Sequence, residues 1–198
     1  RENPSATAVR KLIENGHDWK SCIPKDAQAA FDGAAVHTLP AGEQAILYRL
    51  RTMTDEEFAA LPYGSEGLWR RLMHASRQFA TLEEILEATK SKRYTRTRLD
   101  RMVMCAFLGI TADDLTADAP YARVLAFSDK GREVLKLARK RATLPLITKP
   151  AHAFDLGGDA RKIFEREALA CDLYNLALPC WKDIRWGDDW RKDAIYVK

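Results

Sequence analysis

Between Lys90 and Arg101 the order Lys-Ser-Lys-Arg-Tyr-Thr-Arg-Thr-Arg-Leu-Asp-Arg sets six cations (Lys90, Lys92, Arg93, Arg96, Arg98 and Arg101) against one anion at a helix entrance. These cations cannot all find acidic partners locally, and phosphate is their natural counter-ligand. Guanidinium and ammonium groups neutralise backbone charge, while hydroxyls and the free amides of a helix start add hydrogen bonds. Tyr94 offers a face for an unstacked RNA base. The plain alternative is a solvated face whose cations pair with acids distant in sequence. A second positive run, Arg132, Lys136, Arg139 and Lys140, recurs at i, i+4, i+7 and i+8 and forms a stripe along one helix. Two such helices in a chain of net charge +4 require acidic groups to be segregated elsewhere, which favours a nucleic-acid surface more than either run alone.

Ser5, Thr7 and Arg10 place two hydroxyls and a guanidinium at a helix amino end. That grouping suits a triphosphate, although a simple cap explains Ser5 equally well. Trp181, Trp186 and Trp190 are interleaved with charges near the carboxy end, suiting either RNA stacking or a tail that docks by inserting its indoles; neither role is assigned. The acidic pairs Glu56-Glu57, Glu83-Glu84 and Asp188-Asp189 are explained by capping or solvation, and no histidine is framed for proton transfer. Glycine-rich phosphate loops, a Gly-x-Ser-x-Gly elbow and His-x-x-His or His-x-Gly-His pairs do not occur, so no catalytic residue is assigned. Cys22, Cys105, Cys171 and Cys180 form no Cys-x-x-Cys pair and the four histidines are scattered. Free thiols without a metal are expected, with a zinc site assembled by folding as the alternative.

These groups must be positioned by helices. Ser5 caps one that runs to Asn15 and stops at Gly16, with Val9, Leu12 and Ile13 on one face. Residues 24–31 and 43–53 read as helices, the second presenting Ile46, Leu47 and Leu50 at helical spacing. Capping boxes from Thr54 to Glu57 and from Thr81 to Glu84 open a brief helix ending near Pro62 and a longer one carrying Leu82, Ile85 and Leu86. Between them residues 66–78 turn Leu68, Leu72 and Ala75 inward. Residues 94–108 are amphipathic through Leu99, Met102, Val103, Ala106 and Phe107, and Gly109 ends them. Further on, 124–127 predicts a strand, Ser128 caps a helix to about Arg141 with Val134, Leu137 and Ala138 opposite the cations, and 144–147 predicts a second strand, parallel to the first. Residues 149–159 read as a loop. Residues 160–178 read as a long helix burying Phe164, Leu169, Leu173 and Leu176, and 195–197 as a third strand beside the first two. The expected fold is mainly α: a helical domain with a small strand-helix-strand (α/β) element near the C-terminus.

Four segments in this order carry a family resemblance: Ser5-Ala-Thr-Ala-Val-Arg10; Glu66-Gly-Leu through Ser91-Lys-Arg-Tyr-Thr-Arg-Thr-Arg-Leu-Asp-Arg101 to Leu108-Gly-Ile110; Arg123-Val-Leu-Ala-Phe with Lys130-Gly-Arg132; and Asp172-Leu-Tyr-Asn-Leu176. Together they resemble the carboxy-terminal half of the bacterial tRNA(Met) cytidine acetate ligases, proteins of nucleotidyltransferase type, and the resemblance spans nearly the whole chain. It implies a parent enzyme that uses ATP to activate acetate as acetyl-adenylate and passes the acetyl group to N4 of the wobble cytidine of elongator tRNA(Met), giving N4-acetylcytidine. Magnesium is an optional companion of the triphosphate. It also implies an amino-terminal Rossmann-like domain with a His-x-Gly-His-type ATP motif, which this sequence lacks. Ser5, Thr7 and Arg10 match the stretch that closes the ATP site from the far end of that core. The implied organisation is 1–16 as the end of the nucleotidyltransferase core, 17–120 as a helical domain with the basic helix, and 121–198 as the small α/β element, long helix and tail. For the basic helices the resemblance implies tRNA binding only as a general role.

The chain has 198 residues, 46% hydrophobic and 30% charged, enough to bury a core and too well mixed for a disordered polar tract. Its apolar runs are far shorter than the roughly 20 residues of a membrane span. A soluble, cytoplasmic protein that meets no membrane is expected. An opening on Arg1 rather than methionine reads as a processed or truncated product. The expectation is that this chain alone binds tRNA, holds no cofactor tightly and does not acetylate. Two other readings compete: a non-enzymatic helical module whose basic faces meet RNA or acidic protein, and part of an adenylyltransferase that builds a dinucleotide cofactor.

Overall fold

The computed structural model describes residues 4–32, 39–116, 118–178 and 185–198. Nine α-helices occur among them: α1 Ala6–Glu14, α2 Lys25–Gln28, α3 Glu43–Thr52, α4 Asp55–Ala59, α5 Leu68–Gln78, α6 Leu82–Thr89, α7 Arg96–Leu108, α8 Asp129–Arg141 and α9 Gly158–Asn175. Four two-residue strands accompany them: β1 Ala122–Arg123, β2 Ala126–Phe127, β3 Leu146–Ile147 and β4 Ile195–Tyr196.

Local chemistry starts and stops the helices. Ser5, Thr54, Thr81, Thr95 and Ser128 each accept a backbone N–H three residues on, and Thr54–Glu57 and Thr81–Glu84 close complete capping boxes. Gly109 ends α7 at φ 69°, a left-handed conformation that favours glycine. α5 begins later than expected. Glu66 and Gly67 take φ 60° and 80°, so the segment enters through a left-handed turn rather than a helical one.

One apolar core joins α3 through α7. Ile46, Leu50, Phe58, Leu68, Leu72, Ile85, Leu86, Leu99, Met102 and Val103 are essentially sealed from solvent. Two hydroxyls in it are satisfied within their own helices: Thr89 donates to the Ile85 carbonyl at 2.7 Å and Ser76 to the Met73 carbonyl at 2.8 Å. A smaller core gathers Tyr121, Ile147, Ala153 and Phe164 beneath α9 and the tail.

The carboxy-terminal strands depart from the simple strand-helix-strand expectation. Of the segment expected as one strand over 124–127 only Ala126–Phe127 is strand, β2; β1 precedes it at Ala122–Arg123, and the two have different partners. β1 pairs in parallel with β3, Ala122 opposite Leu146, and β2 pairs in parallel with β4, Phe127 opposite Tyr196. Part of the expected loop over 149–159 is a 3-10 helix, Pro150–Asp155, which buries Pro150 and Ala153. Leu176, expected inside, is exposed beyond the end of α9. On α8 the inward side falls on Leu135 and Ala138, whereas Val134 and Leu137 are each 64% exposed. The three-residue inward spacing missed this because both pairs fit a helical period and only the position of β2 chooses between them.

Candidate nucleic-acid interface

Three of the six cations at the entrance of α7 are neutralised, by acids both near and distant in sequence. Arg93 meets Glu66 at 2.7 Å, and Lys90 meets Glu87 at 3.0 Å. Arg96 forms a two-armed pair with Glu83 at 2.6 and 2.7 Å and reaches Asp100 at 2.9 Å. The hydrogen bond from Arg96 holds the Glu83 carboxyl below its ordinary range, while Glu83 and Asp100 hold the guanidinium more firmly charged than usual. Arg98 donates to the Tyr63 carbonyl and the Ser65 hydroxyl, both at 2.9 Å. Lys92 and Arg101 are exposed and make no ion pair among the described residues.

Tyr94 requires a correction. Its ring is only 7% exposed, its hydroxyl donates to Glu66 at 3.0 Å, and the Arg98 guanidinium covers it at 4.9 Å from the ring centre. A side chain so enclosed presents no face to a base. Arg93, Tyr94 and Arg98 instead clasp the turn formed by residues 63–67, where Tyr63 and Glu66 both hold positive φ.

Several other arginines cap helix ends from neighbouring elements, a use that charge counting misses. Arg51 donates to the Phe79 and Ala80 carbonyls beyond α5, Arg71 to the Ala88 and Lys90 carbonyls at the end of α6, and Arg49 to the Ala106 carbonyl of α7. The acceptors lie in or just past the last turn of a helix, where carbonyls run short of donors, although the Ala106 carbonyl also accepts the Gly109 amide.

α8 is different. Its thirteen residues carry six cations (Lys130, Arg132, Lys136, Arg139, Lys140 and Arg141) and two acids. None of the six forms an ion pair among the described residues. Arg132 lies over the Tyr196 ring at 4.7 Å, and Arg139 donates to the Thr148 hydroxyl at 3.1 Å. Lys136 and Lys140 project freely into solvent. Asp129 holds the helix start to the tail by accepting from the Tyr196 hydroxyl at 2.5 Å.

Ser5, Thr7 and Arg10 lie on α1, all exposed. The Ser5 hydroxyl accepts the Ala8 amide at 3.3 Å, while Thr7 and Arg10 sit one turn apart. Arg10 also lines a cleft of about 1100 Å³ together with Arg96, Thr97 and Arg101 of α7. Two groups of residues that the sequence separates by eighty positions thus share one depression. Among the described residues no three His, Cys, Asp or Glu side chains converge as a metal site, and no helix is long and apolar enough to cross a membrane.

The tail is pinned to the body. Buried Asp172 accepts the Gly187 amide at 2.9 and 3.1 Å, Arg123 meets Asp189 at 2.6 Å, and Trp190 stacks on Phe154 and meets Phe164 edge-on. Trp190 is therefore a docking ring, Trp186 is 70% exposed, and Trp181 lies outside the described residues.

Eight curated relatives share a single name, tRNA(Met) cytidine acetate ligase. The protein of that name from Kosmotoga olearia is 31% identical over 98% of this chain and 51% of its own length, and that from Acetivibrio thermocellus is 29% identical over 90% and 46%. The chain spans about half the length of the curated relatives it matches. In fold it resembles Thermotoga maritima TmcAL, solved with alpha-thio ATP, at a TM-score of 0.88 and 24% identity over all of this chain and 53% of that one. With the HIGH Nucleotidyl Transferase family model matched over residues 1–186, from before α1 to past α9, the chain belongs to that family.

Proposed function

We propose that this chain is the carboxy-terminal, RNA-handling half of an ATP-dependent ligase that acetylates the wobble cytidine of elongator tRNA(Met), and that it meets the tRNA backbone chiefly through α8. One observation carries this reading: α8 holds six cations without an ion pair among the described residues, whereas Lys90, Arg93 and Arg96 are already neutralised. Unpaired cations gain most from phosphate because they release counter-ions without first breaking an internal pair. Lys92 and Arg101 are secondary contacts on the same reasoning, and acting on tRNA places the protein in the cytoplasm.

Ser5, Thr7 and Arg10 fit a nucleotide's phosphates in kind. The amino end of α1 presents free amides, the Thr7 hydroxyl and Arg10 guanidinium share an exposed face, and Arg10 has no acidic partner among the described residues. ATP, when bound, supplies the adenylate that activates acetate. This chain's residues would hold and orient its phosphates, with magnesium as an optional companion.

The test is binding of the chain to elongator tRNA(Met) transcript across a salt series. A steep fall of affinity with salt supports the reading, and salt-independent or absent binding refutes it. A second reading, protein docking on α8, is favoured by the exposure of Val134 and Leu137. It predicts that Val134→Ser and Leu137→Ser abolish partner capture while tRNA leaves that capture undisturbed.

A further inference from the structure

Beside the carboxy end of α8 the surface hollows into a cleft of about 480 Å³, walled by Leu144, Pro145 and Leu146 and bordered by Arg139, Thr143 and His152. A smooth basic helix can hold phosphates alone. A hollow of this size lies within the roughly 300–1,000 Å³ typical of small-ligand sites and admits a planar group as well. One of its bordering side chains, the His152 imidazole, is a flat π system of the kind on which splayed RNA bases lie, and another, the Arg139 guanidinium, is a fixed charge for a phosphate. Arg139 is braced rather than consumed, since among the described residues its side chain makes a single hydrogen bond, to Thr148, and no acid pairs with it. Lys140 and Arg141, next in sequence, are also unpaired and stand ready for the flanking phosphates. Resting on the assignment of α8 to RNA, we propose that this cleft seats one unstacked nucleotide of single-stranded RNA, its base against the Leu144–Leu146 wall and its phosphate on Arg139 and Lys140.

The proposal separates base from charge, and so does its test. The chain is titrated with a short single-stranded oligoribonucleotide and, in parallel, with inorganic polyphosphate, a polyanion without bases. Leu144→Ala and His152→Ala are each expected to weaken the oligoribonucleotide about fivefold or more while leaving polyphosphate affinity unchanged. Lys140→Ala should weaken both probes. Leu144 is already partly exposed, and a melting curve for each variant identifies any loss of folding, in which case His152→Ala alone decides. If Leu144→Ala and His152→Ala leave RNA binding intact while Lys140→Ala weakens both probes, the base pocket is overturned and α8 survives as a phosphate surface. If no variant weakens either probe, the RNA assignment of α8 falls with it.

Discussion

The Tyr94 hydroxyl donates to the Glu66 carboxylate across 3.0 Å, from a buried ring to a residue held at φ 60°. Glu66 would ordinarily avoid that conformation, and the clasp of Tyr94 and Arg93 on its two oxygens holds it there. Tyr94→Phe, which removes one donor from the solvent-exposed Glu66 carboxylate, is expected to cost about 1 kcal/mol of stability in denaturant unfolding. Polyanion affinity per folded molecule should not change. Loss of affinity at unchanged stability would return Tyr94 to the interface.

The same logic divides the basic residues. Arg96→Ala strands Glu83 and Asp100, so it should lower stability by about 1 kcal/mol, a figure kept small because these pairs are partly exposed. Lys136→Ala, which touches no acid, should leave the unfolding midpoint where it was. Thermal melts of the two variants side by side check the contrast.

Asp114 links the two halves of the chain by pairing with Arg166 of α9. Burial works to raise its pKa, but the hydrogen bonds from Arg166 and from the Thr111 amide and hydroxyl overcome it and hold the carboxyl down at about 2. A folded-state pKa below the unfolded one contributes stability that is complete above the unfolded value, near 3.8, and is lost as pH falls toward about 2. Allowing for solvent screening, the contribution at neutral pH is about 1 kcal/mol. Asp114→Asn should therefore flatten the stability curve between those two pH values, which urea unfolding at stepped pH would show; an unchanged slope would refute the link.

The tail holds α8 as well as itself, through Tyr196 on Asp129 and Arg132. Its anchors lie at Asp172 and Trp190. Asp172→Ala leaves the Gly187 amide without its acceptor, and faster amide hydrogen exchange is expected over residues 187–197 and in the first turn of α8, with α5 and α6 unchanged. Exchange that stays slow throughout would show that the aromatic contacts suffice without Asp172.

Much of the helical core was legible because its signals are local. Both capping boxes, the Ser128 cap, the Gly109 stop and the apolar spacing of α7 each lie within a few residues, whereas the Thr95 cap of α7 was not read. The two-residue strands were blurred because so short a run has no period to read, and because β2 finds its partner some seventy residues on, at β4. Charge pairing was hidden for the same reason: Arg93 lies 27 positions from Glu66 and Arg96 lies 13 from Glu83, so a dense basic run looked unpaired when it was not. α8 kept its free charge because its side chains meet the Tyr196 ring and hydroxyl of the tail strand and the Thr148 hydroxyl just past β3. The helix-capping arginines were invisible, since a carbonyl acceptor leaves no mark in composition.

Central to this account is a polyanion held by α8 rather than by the entrance of α7, and the slope of tRNA affinity against salt tests it most directly. Lys136→Ala with Lys140→Ala should reduce that slope by about two, roughly one per cation removed, while Arg93→Ala with Arg96→Ala should leave it nearly unchanged once corrected for folded fraction. The reverse pattern, a slope lowered by the α7 pair and indifferent to the α8 pair, would contradict the account.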